Sequence, residues 1–347
     1  MPNASGNPLR DLLAAKSVLL ADGAMGTSLF EAGLETGDSP ELWNVDHPDR
    51  VAAIHSGFVA AGADILLTNT FGGTRYRLAL HHAQARVAEL NRAGAAIARE
   101  VADAADRPVL VAGSMGPTGE IYQPVGPLAQ EDGEDAFAEQ AAALAEGGAD
   151  LLWVETISGI EELAAAVAGA ARSGLPVIAT MTFDTNGRTM MGLTPEAAMA
   201  FRDQLAVRPA AFGANCGVGP AQLVDSILSL GGAGGPDDVL IAKGNCGVPE
   251  YRDGHIHYDG SPEIMADYAC LARDAGARII GGCCGTSAIH LRAMAEALAT
   301  RQPGPKPDRA TVESRLGPIA VAPAESDAVD IARRQGEREG RRRRRRG

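Results

Sequence analysis

Three of the five cysteines in the chain stand at the ends of two apolar runs. Cys283 and Cys284 are adjacent in GGCCGT, and Cys216 ends the run AAFGANC. Adjacent cysteines rarely pair as a disulfide, because the small ring strains the peptide between them. Together with a thiolate from another strand, they can occupy three corners of a zinc tetrahedron and leave the fourth open. The three cysteines therefore predict a catalytic Zn²⁺ site.

An all-thiolate site also limits the chemistry. Three thiolates give the zinc complex a net negative charge, which makes it a poor activator of water but a good holder of a soft ligand such as a substrate thiol. A free thiol is mostly protonated at neutral pH, whereas coordination removes its proton. The expected reaction is nucleophilic attack by a zinc-bound substrate sulfur.

Other residues offer alternative metal ligands. Cys246, in GNCG, could replace Cys216 as the third ligand or simply line the same site. His255 and His257 have the spacing of a metal pair on one face of an extended strand, although exposed turn histidines have the same pattern. Cys270 lies in a helical stretch and is interpreted as a small buried apolar residue.

The elements that must position these residues repeat along the chain. Eight short apolar runs lack polar alternation, as strands of a parallel sheet buried on both faces do. Between them lie Ala-, Leu- and Glu-rich segments with helical spacing, several of which close with Gly. This pattern predicts a (β/α)8 TIM barrel; a doubly wound sheet is the alternative, but no GxGxxG opens its first helix. The runs are residues 17–23, 64–70, 108–114, 150–156, 176–183, 210–216, 238–245 and 278–284.

In such a barrel, the carboxyl ends of the strands gather at one mouth, where active sites lie. Besides the cysteines, five polar residues stand at predicted strand ends and are expected there. They are Asp22, Thr68, Thr70, Glu155 and Asn215. Two carboxylates facing three thiols form a combination that predicts a binding site for a charged substrate.

Composition and charge set the broad class. The chain has 347 residues and is 46% apolar, enough for a full core, and no signal peptide or membrane-spanning run is recognised, so a cytoplasmic protein without membrane contact is expected. Residues 1–301 carry 19 Lys and Arg against 37 Asp and Glu, which disfavours nucleic-acid binding by the barrel. Residues 302–347 carry 12 against 7 and end in RRRRRRG, which predicts a disordered Pro/Arg-rich tail.

Five motifs in chain order resemble those of the zinc-dependent homocysteine S-methyltransferases. The likeness covers roughly residues 15–300 and places every motif at a predicted strand end. The motifs are DGAMGT (22–27), TNTFGGT (68–74), VETI (154–157), GANCGVGP (213–220) and GGCCGT (281–286). The family resemblance implies a methyltransferase that transfers a methyl group to zinc-bound homocysteine thiolate and forms methionine, with the three cysteines as zinc ligands.

The same resemblance implies how the substrate is held. Asp22 and Glu155 would bind the homocysteine ammonium, and backbone amides near Gly23 and Ala24 would receive its carboxylate. Thr68 and Asn215 are expected to contribute to the same substrate site. Both carboxylates suit an amino-acid substrate on charge grounds.

The methyl donor is left open among three classes. Trp43 matches an aromatic position of the betaine-using branch, where cation–π contacts hold the quaternary ammonium, but Gly72 and Thr156 replace tyrosines of that branch. Residues 182–198 and 249–269 resemble instead the homocysteine-binding module of cobalamin-dependent methionine synthase. Betaine, S-methylmethionine, and a methylcobalamin protein supplied as a separate chain, as in a split methionine synthase, therefore all remain expectations.

Two rival functions use other residues. Lys243, at the end of the seventh predicted strand, could form a Schiff base in an aldolase-type barrel. Alternatively, the Arg-rich end could make the protein a zinc-binding tether for an acidic partner or RNA.

Overall fold

The computed structural model describes residues 7–252 and 255–319, and it confirms the predicted barrel. Eight parallel strands within this part of the chain form one sheet, and a two-stranded hairpin, β8 and β9, follows the seventh strand. The strands are β1 Leu19–Leu20, β2 Ile65–Leu67, β3 Leu110–Met115, β4 Leu151–Ile157, β5 Val177–Met181, β6 Phe212–Cys216, β7 Leu240–Gly244, β8 Pro249–Arg252, β9 His255–Tyr258 and β10 Ala277–Gly282.

The sheet closes on itself. Its order is β1-β10-β7-β6-β5-β4-β3-β2, and a parallel bridge between Ala21 and Ile65 joins the two ends. The amide of Asp22 donates to the carbonyl of Ile65 at 3.0 Å, so the seam is hydrogen-bonded up to the mouth. All eight predicted strands are present, because each is an apolar run that is buried on both faces.

Helices cover the outside of the barrel and join successive strands. Many begin with Pro in the first turn, where the missing amide hydrogen costs nothing, and the side chains of Thr194 and Ser261 cap α9 and α11. The helices are α1 Pro8–Ala15, α2 Met25–Glu31, α3 Trp43–Asp46, α4 Pro48–Ala61, α5 Arg75–Ala79, α6 Val87–Asp103, α7 Gln130–Glu146, α8 Ile160–Ala171, α9 Pro195–Arg202, α10 Pro220–Ala233, α11 Pro262–Asp274, α12 Ala288–Thr300 and α13 Arg309–Leu316.

The barrel interior is filled and not open. Buried side chains from the strands, among them Ile65, Trp153 and Ile279, form one cluster with Leu9 and Leu12 of α1. That helix therefore closes the amino end of the barrel, and the site can lie only at the carboxyl end.

The region after residue 301 departs from the predicted disordered tail. Helix α13 packs against α10 and α11, Val312 and Ile319 are buried, and Arg315 forms an ion pair with Asp267 at 2.7 Å. The few apolar residues of this segment thus reach the outer core, which composition alone did not reveal. Residues 320–347, including the Arg-rich end, lie outside the described residues.

The hairpin β8–β9 follows β7 on the mouth side. The side chains of residues 249–257 lie outside the described part of the structure, so the expectation of a His255–His257 metal pair concerns atoms that are not described. Among the described helices, none combines the length and the apolar character needed to cross a bilayer.

Candidate metal and substrate site

The three cysteines predicted as ligands meet at the mouth. Cys216 ends β6, while Cys283 and Cys284 follow β10, two strands away in the barrel. The Sγ atom of Cys216 lies 3.0 Å from that of Cys283 and 3.9 Å from that of Cys284, and all three sulfurs lie within 4.8 Å of one another. The thiols are free, and this cluster is the one group in the described residues whose geometry could hold a metal ion.

Local backbone geometry makes this convergence possible. Cys216 adopts a left-handed conformation with φ of +59°, which is strained for a residue other than Gly and turns its sulfur toward the neighbouring strands. The amide of Cys283 donates to the carbonyl of Gly244 at 2.6 Å, which fixes the turn after β10. Gly282 has no space for a side chain, since an added Cβ would overlap the side chain of Thr286.

Cys246 does not join the cluster. Its buried thiol donates to the carbonyl of Gly260 at 3.0 Å, while its amide donates to the carbonyl of Cys284. The alternative of Cys246 as the third ligand is therefore not realised in this structure. Cys270 is buried on α11 among apolar neighbours, in agreement with its interpretation as a small core residue.

The thiol cluster is polarised. Hydrogen bonds from Cys216 and Cys283 lower the pKa of the Cys284 thiol well below its usual value, and the hydroxyl of Tyr258 donates a further hydrogen bond to it. Burial, followed by the negative charge on Cys284, raises the pKa of Tyr258. The three sulfurs and the hydroxyl of Tyr258 thus form one interacting group, and Tyr258 is a site residue that the sequence did not indicate.

A cavity of about 290 Å³ opens onto this cluster. Its lining includes Glu155 and Lys243 beside the three cysteines, and also Glu41, Arg77 and His81. The last three were missed by sequence reasoning because they lie in the connections after β1 and β2, outside any predicted strand end. Glu41 lies only two residues before Trp43 in SPELWN, and this closeness to a predicted site residue was the sequence feature that could have indicated it.

Two buried carboxylates lie near the cavity: Glu155 lines it, whereas Asp22 is fully buried and is not one of its lining residues. Asp22 accepts a hydrogen bond from the amide of Leu67 at 2.8 Å through Oδ2, whereas its Oδ1 has no hydrogen-bond partner among the described residues. Glu155 accepts from the hydroxyl of Ser114 at 2.5 Å. Burial raises the pKa of each to about 7, and the positive charge of Lys243 opposes that rise. The two acids are therefore poised to ionise when a cationic partner arrives.

Lys243 is the buried cation between them. Its Nζ donates to the carbonyls of Gly282 at 2.7 Å and Gly23 at 3.3 Å, and it lies 3.6 Å from Oδ1 of Asp22. Burial acts to lower the pKa of Lys243, but the charges of Asp22 and neighbouring acidic groups prevail and raise it. A Schiff base requires the neutral amine, so this environment disfavours the aldolase alternative.

Three predicted polar residues build the walls. The hydroxyls of Thr68 and Thr70 share a hydrogen bond of 2.5 Å, and each also bonds the backbone of Ser114. Asn215 is fully buried and does not line the cavity; its Oδ1 accepts from the amide of Thr156, which has a φ of +64°. Asn215 thus holds a strained turn, and of the three only the threonines face the cavity.

The structure changes two expectations from the resemblance. Gly23 and Ala24 line the cavity, but the amide of Ala24 already donates to the carbonyl of Thr286 at 2.9 Å and is not free to receive a carboxylate. Trp43 does not line the cavity at all. It is 7% exposed in a separate cluster with Leu29 and other apolar residues, because α3 turns its ring into the packing against α4.

Exposed apolar side chains are concentrated around the mouth. Of the eleven large apolar residues exposed in the described chain, ten lie in segments that leave the carboxyl ends of strands, and only Val207 lies toward the amino ends. Examples at the mouth are Phe71, Ile121, Met190 and Met191, with both methionines more than half exposed. The mouth is therefore the apolar end of the surface.

A closed parallel barrel with three thiols and two buried acids at its mouth belongs to the class of proteins that hold their site at the carboxyl ends of the barrel strands, and comparison with known proteins identifies the family. The chain belongs to the homocysteine S-methyltransferase family, whose model matches residues 19–298.

Similar proteins include methionine synthases and a homocysteine methyltransferase. The methionine synthase of Mycobacterium tuberculosis is 35% identical over 308 residues, and that of Mycobacterium leprae is 34% identical over 310 residues; both alignments cover 84% of this chain. The chain spans about a quarter of the length of these relatives, since each alignment covers 25% of the methionine synthase. The metallated form of the homocysteine methyltransferase MmuM from Escherichia coli has a TM-score of 0.70 and 26% identity, with coverage of 84% of this chain and 99% of that one.

Proposed function

We propose that the protein is a zinc-dependent homocysteine S-methyltransferase that forms methionine. The observation that carries this proposal is a cavity at the barrel mouth that is lined by three thiols within 4.8 Å of one another and by the buried carboxylate of Glu155, with the buried Asp22 lying 3.6 Å from the lining residue Lys243. The thiols suit a soft metal ion, and the carboxylates suit the ammonium of an amino acid. Family membership narrows the amino acid to homocysteine.

The donor set fits zinc. Cys216, Cys283 and Cys284 would supply three sulfur ligands, since their sulfurs already lie within 4.8 Å of one another. The cavity lies against the cluster, which leaves access for a thiol substrate. Zinc, when bound, would lower the pKa of a coordinated thiol so that it is nucleophilic at neutral pH.

The chain's own residues would orient the amino acid. Glu155 lines the cavity and has its second oxygen available to accept from a substrate ammonium. The family resemblance assigns Asp22 to the same ammonium; its Oδ1 has no hydrogen bond and lies 3.6 Å from the Nζ of Lys243. Binding a cation would lower the raised pKa of each acid and favour its ionised form. The substrate carboxylate would then contact the turn at Gly23. The amide of the next residue, Ala24, already donates a hydrogen bond to the carbonyl of Thr286.

Three donor classes are carried forward, and the structure weakens the support for betaine. Trp43 is packed away from the cavity, and Gly72 supplies no aromatic ring where the betaine-using branch has a tyrosine. The aromatic cage expected for betaine is therefore incomplete. S-methylmethionine and a protein-borne methylcobalamin need no such cage.

A second candidate function is the homocysteine-activating component of a split methionine synthase. It is favoured by the identity of 35% to a methionine synthase of which this chain spans only a quarter. In that arrangement, the methylcobalamin would be presented by a separate protein at the open mouth.

Methionine formation tests both candidates. The reduced, zinc-loaded protein is incubated with homocysteine and either betaine, S-methylmethionine or methylcobalamin, and methionine is quantified. Turnover with one donor supports the proposal and identifies the branch. Zinc retention and homocysteine binding without turnover would favour the split-enzyme candidate, while failure to bind homocysteine would contradict both.

A further inference from the structure

Lys243 is buried at the meeting point of the metal and amino-acid sites, yet the chemistry described so far gives it no task. It lies on β7, the strand between β6 and β10, and its side chain is 4% exposed. The carbonyl that it bonds most closely, that of Gly282, immediately precedes Cys283. Its other carbonyl partner, that of Gly23, immediately follows Asp22.

We propose that Lys243 is a positioning residue that couples metal retention to homocysteine binding. One ammonium group holds the turn that carries Cys283 and the turn that carries Asp22, so displacement of either turn is transmitted to the other. The inference rests on the proposed function, because it assigns zinc to the thiols and homocysteine to the acids.

Charge explains why a lysine is needed there. Two carboxyls are buried near Lys243: Asp22, whose Oδ1 lies 3.6 Å from its Nζ, and Glu155, which lines the same cavity. Among the lining residues that the structure describes, Lys243 is the buried cation, since Arg77 and His81 are partly exposed. Its hydrogens are directed at two carbonyls and a carboxylate, so it has no donor left for a substrate carboxylate.

The test compares Lys243→Met with Lys16→Met. Lys16 forms an ion pair with Asp64 at the amino end of the barrel, so its variant controls for the loss of a lysine–aspartate pair. Zinc release to a colorimetric chelator is timed with and without homocysteine, and homocysteine binding is measured by calorimetry. We expect homocysteine to slow zinc release in the wild type and in Lys16→Met. In Lys243→Met, we expect zinc affinity to fall roughly 10- to 100-fold and the protection by homocysteine to disappear.

Two further variants keep the test decisive if Lys243→Met unfolds. Asp22→Asn combined with Lys243→Met removes the pair without leaving a buried charge, and Lys243→Arg retains the charge with altered reach. Wild-type coupling in the double variant would overturn the proposal, as would equal losses in the Lys16 and Lys243 variants. Partial recovery of zinc retention by Lys243→Arg would support it. If the wild type retains zinc but does not bind homocysteine, the proposed function fails, whereas loss of coupling in Lys243→Met alone concerns only this residue.

Discussion

Two buried aspartates at opposite ends of neighbouring strands differ in how completely they are paired. Asp64 precedes β2 at the amino end and accepts from Lys16, from Arg107 at 3.2 Å and from the amide of Leu20 at 3.1 Å. Asp22 follows β1 at the mouth, and one of its oxygens has no hydrogen bond among the described residues. The contrast indicates that the amino end is built for stability, whereas at the mouth the Oδ1 of Asp22 has only the ion pair with Lys243 and no hydrogen bond.

The largest effect should follow from Cys283→Ala at the mouth. Removal of one of three sulfurs leaves two ligands, so we expect loss of bound zinc and of methyl transfer together, measured by metal analysis and methionine formation. The control is Cys270→Ala, which removes a buried thiol on α11 and should retain zinc. Full activity of the Cys283 variant would refute the ligand assignment.

Glu155→Gln should change the pH dependence of stability. The pKa of Glu155 is about 7 in the fold and near 4.5 in the unfolded chain, so the folded state binds more protons between these values. Stability from this group is therefore lost as pH rises from about 4.5 to about 7. In urea unfolding of the metal-free protein, the free energy of unfolding of the variant relative to the wild type should rise by up to about 3 kcal/mol between pH 5 and pH 8. An equal difference at both pH values would contradict the shift.

Asp22→Asn and Asp64→Asn should differ in their effect on binding. We expect the first to weaken homocysteine binding about 10-fold or more, because an ammonium loses a charged acceptor, and to destabilise the fold by roughly 3 kcal/mol, because the buried Lys243 loses its charged partner. The second should destabilise the fold by about 2 kcal/mol and leave homocysteine affinity unchanged, since its partners are structural. Calorimetry and urea unfolding on both variants measure the two effects. Similar losses of homocysteine affinity in both variants would contradict the proposed difference between the two ends of the barrel.

A matched pair of glycines gives the smallest effect. Gly217 follows Cys216 at the mouth and Gly174 precedes β5 at the amino end; both have φ near +80° and open space where a Cβ would lie. Substitution of either by Ala should cost about 1 kcal/mol of stability through backbone strain alone. Only Gly217→Ala should speed zinc release, because it shifts the turn that holds Cys216. Equal zinc release in both variants would show that this turn does not set the metal site.

The sequence predicted the barrel and its strand ends well, because buried parallel strands are visible as continuous apolar runs. The cluster of Cys216, Cys283 and Cys284 followed from that topology, since residues at strand ends share one mouth. The positions of Trp43 and Ala24 could not be predicted in the same way. The first depends on how α3 packs, and the second on a carbonyl of Thr286 that approaches from the far end of the chain.

The positions of site residues in long connections could not be predicted from the sequence either. Glu41 and Tyr258 reach the site from long connections whose course is set by tertiary packing and not by periodicity. The order found in residues 302–319 has a similar cause, because the burial of Val312 and Ile319 depends on a surface formed by α10 and α11.

The exposed pair Met190 and Met191 gives the rim a second kind of oxidisable sulfur besides the thiol cluster. Thioethers at this exposure are open to peroxide, and so are the partly buried thiols of Cys216 and Cys284. Oxidation would therefore act both on the predicted metal ligands and on the surface around them, where methionine sulfoxide would replace an apolar side chain with a polar one. Recovery of the mouth would then need sulfoxide repair as well as thiol reduction.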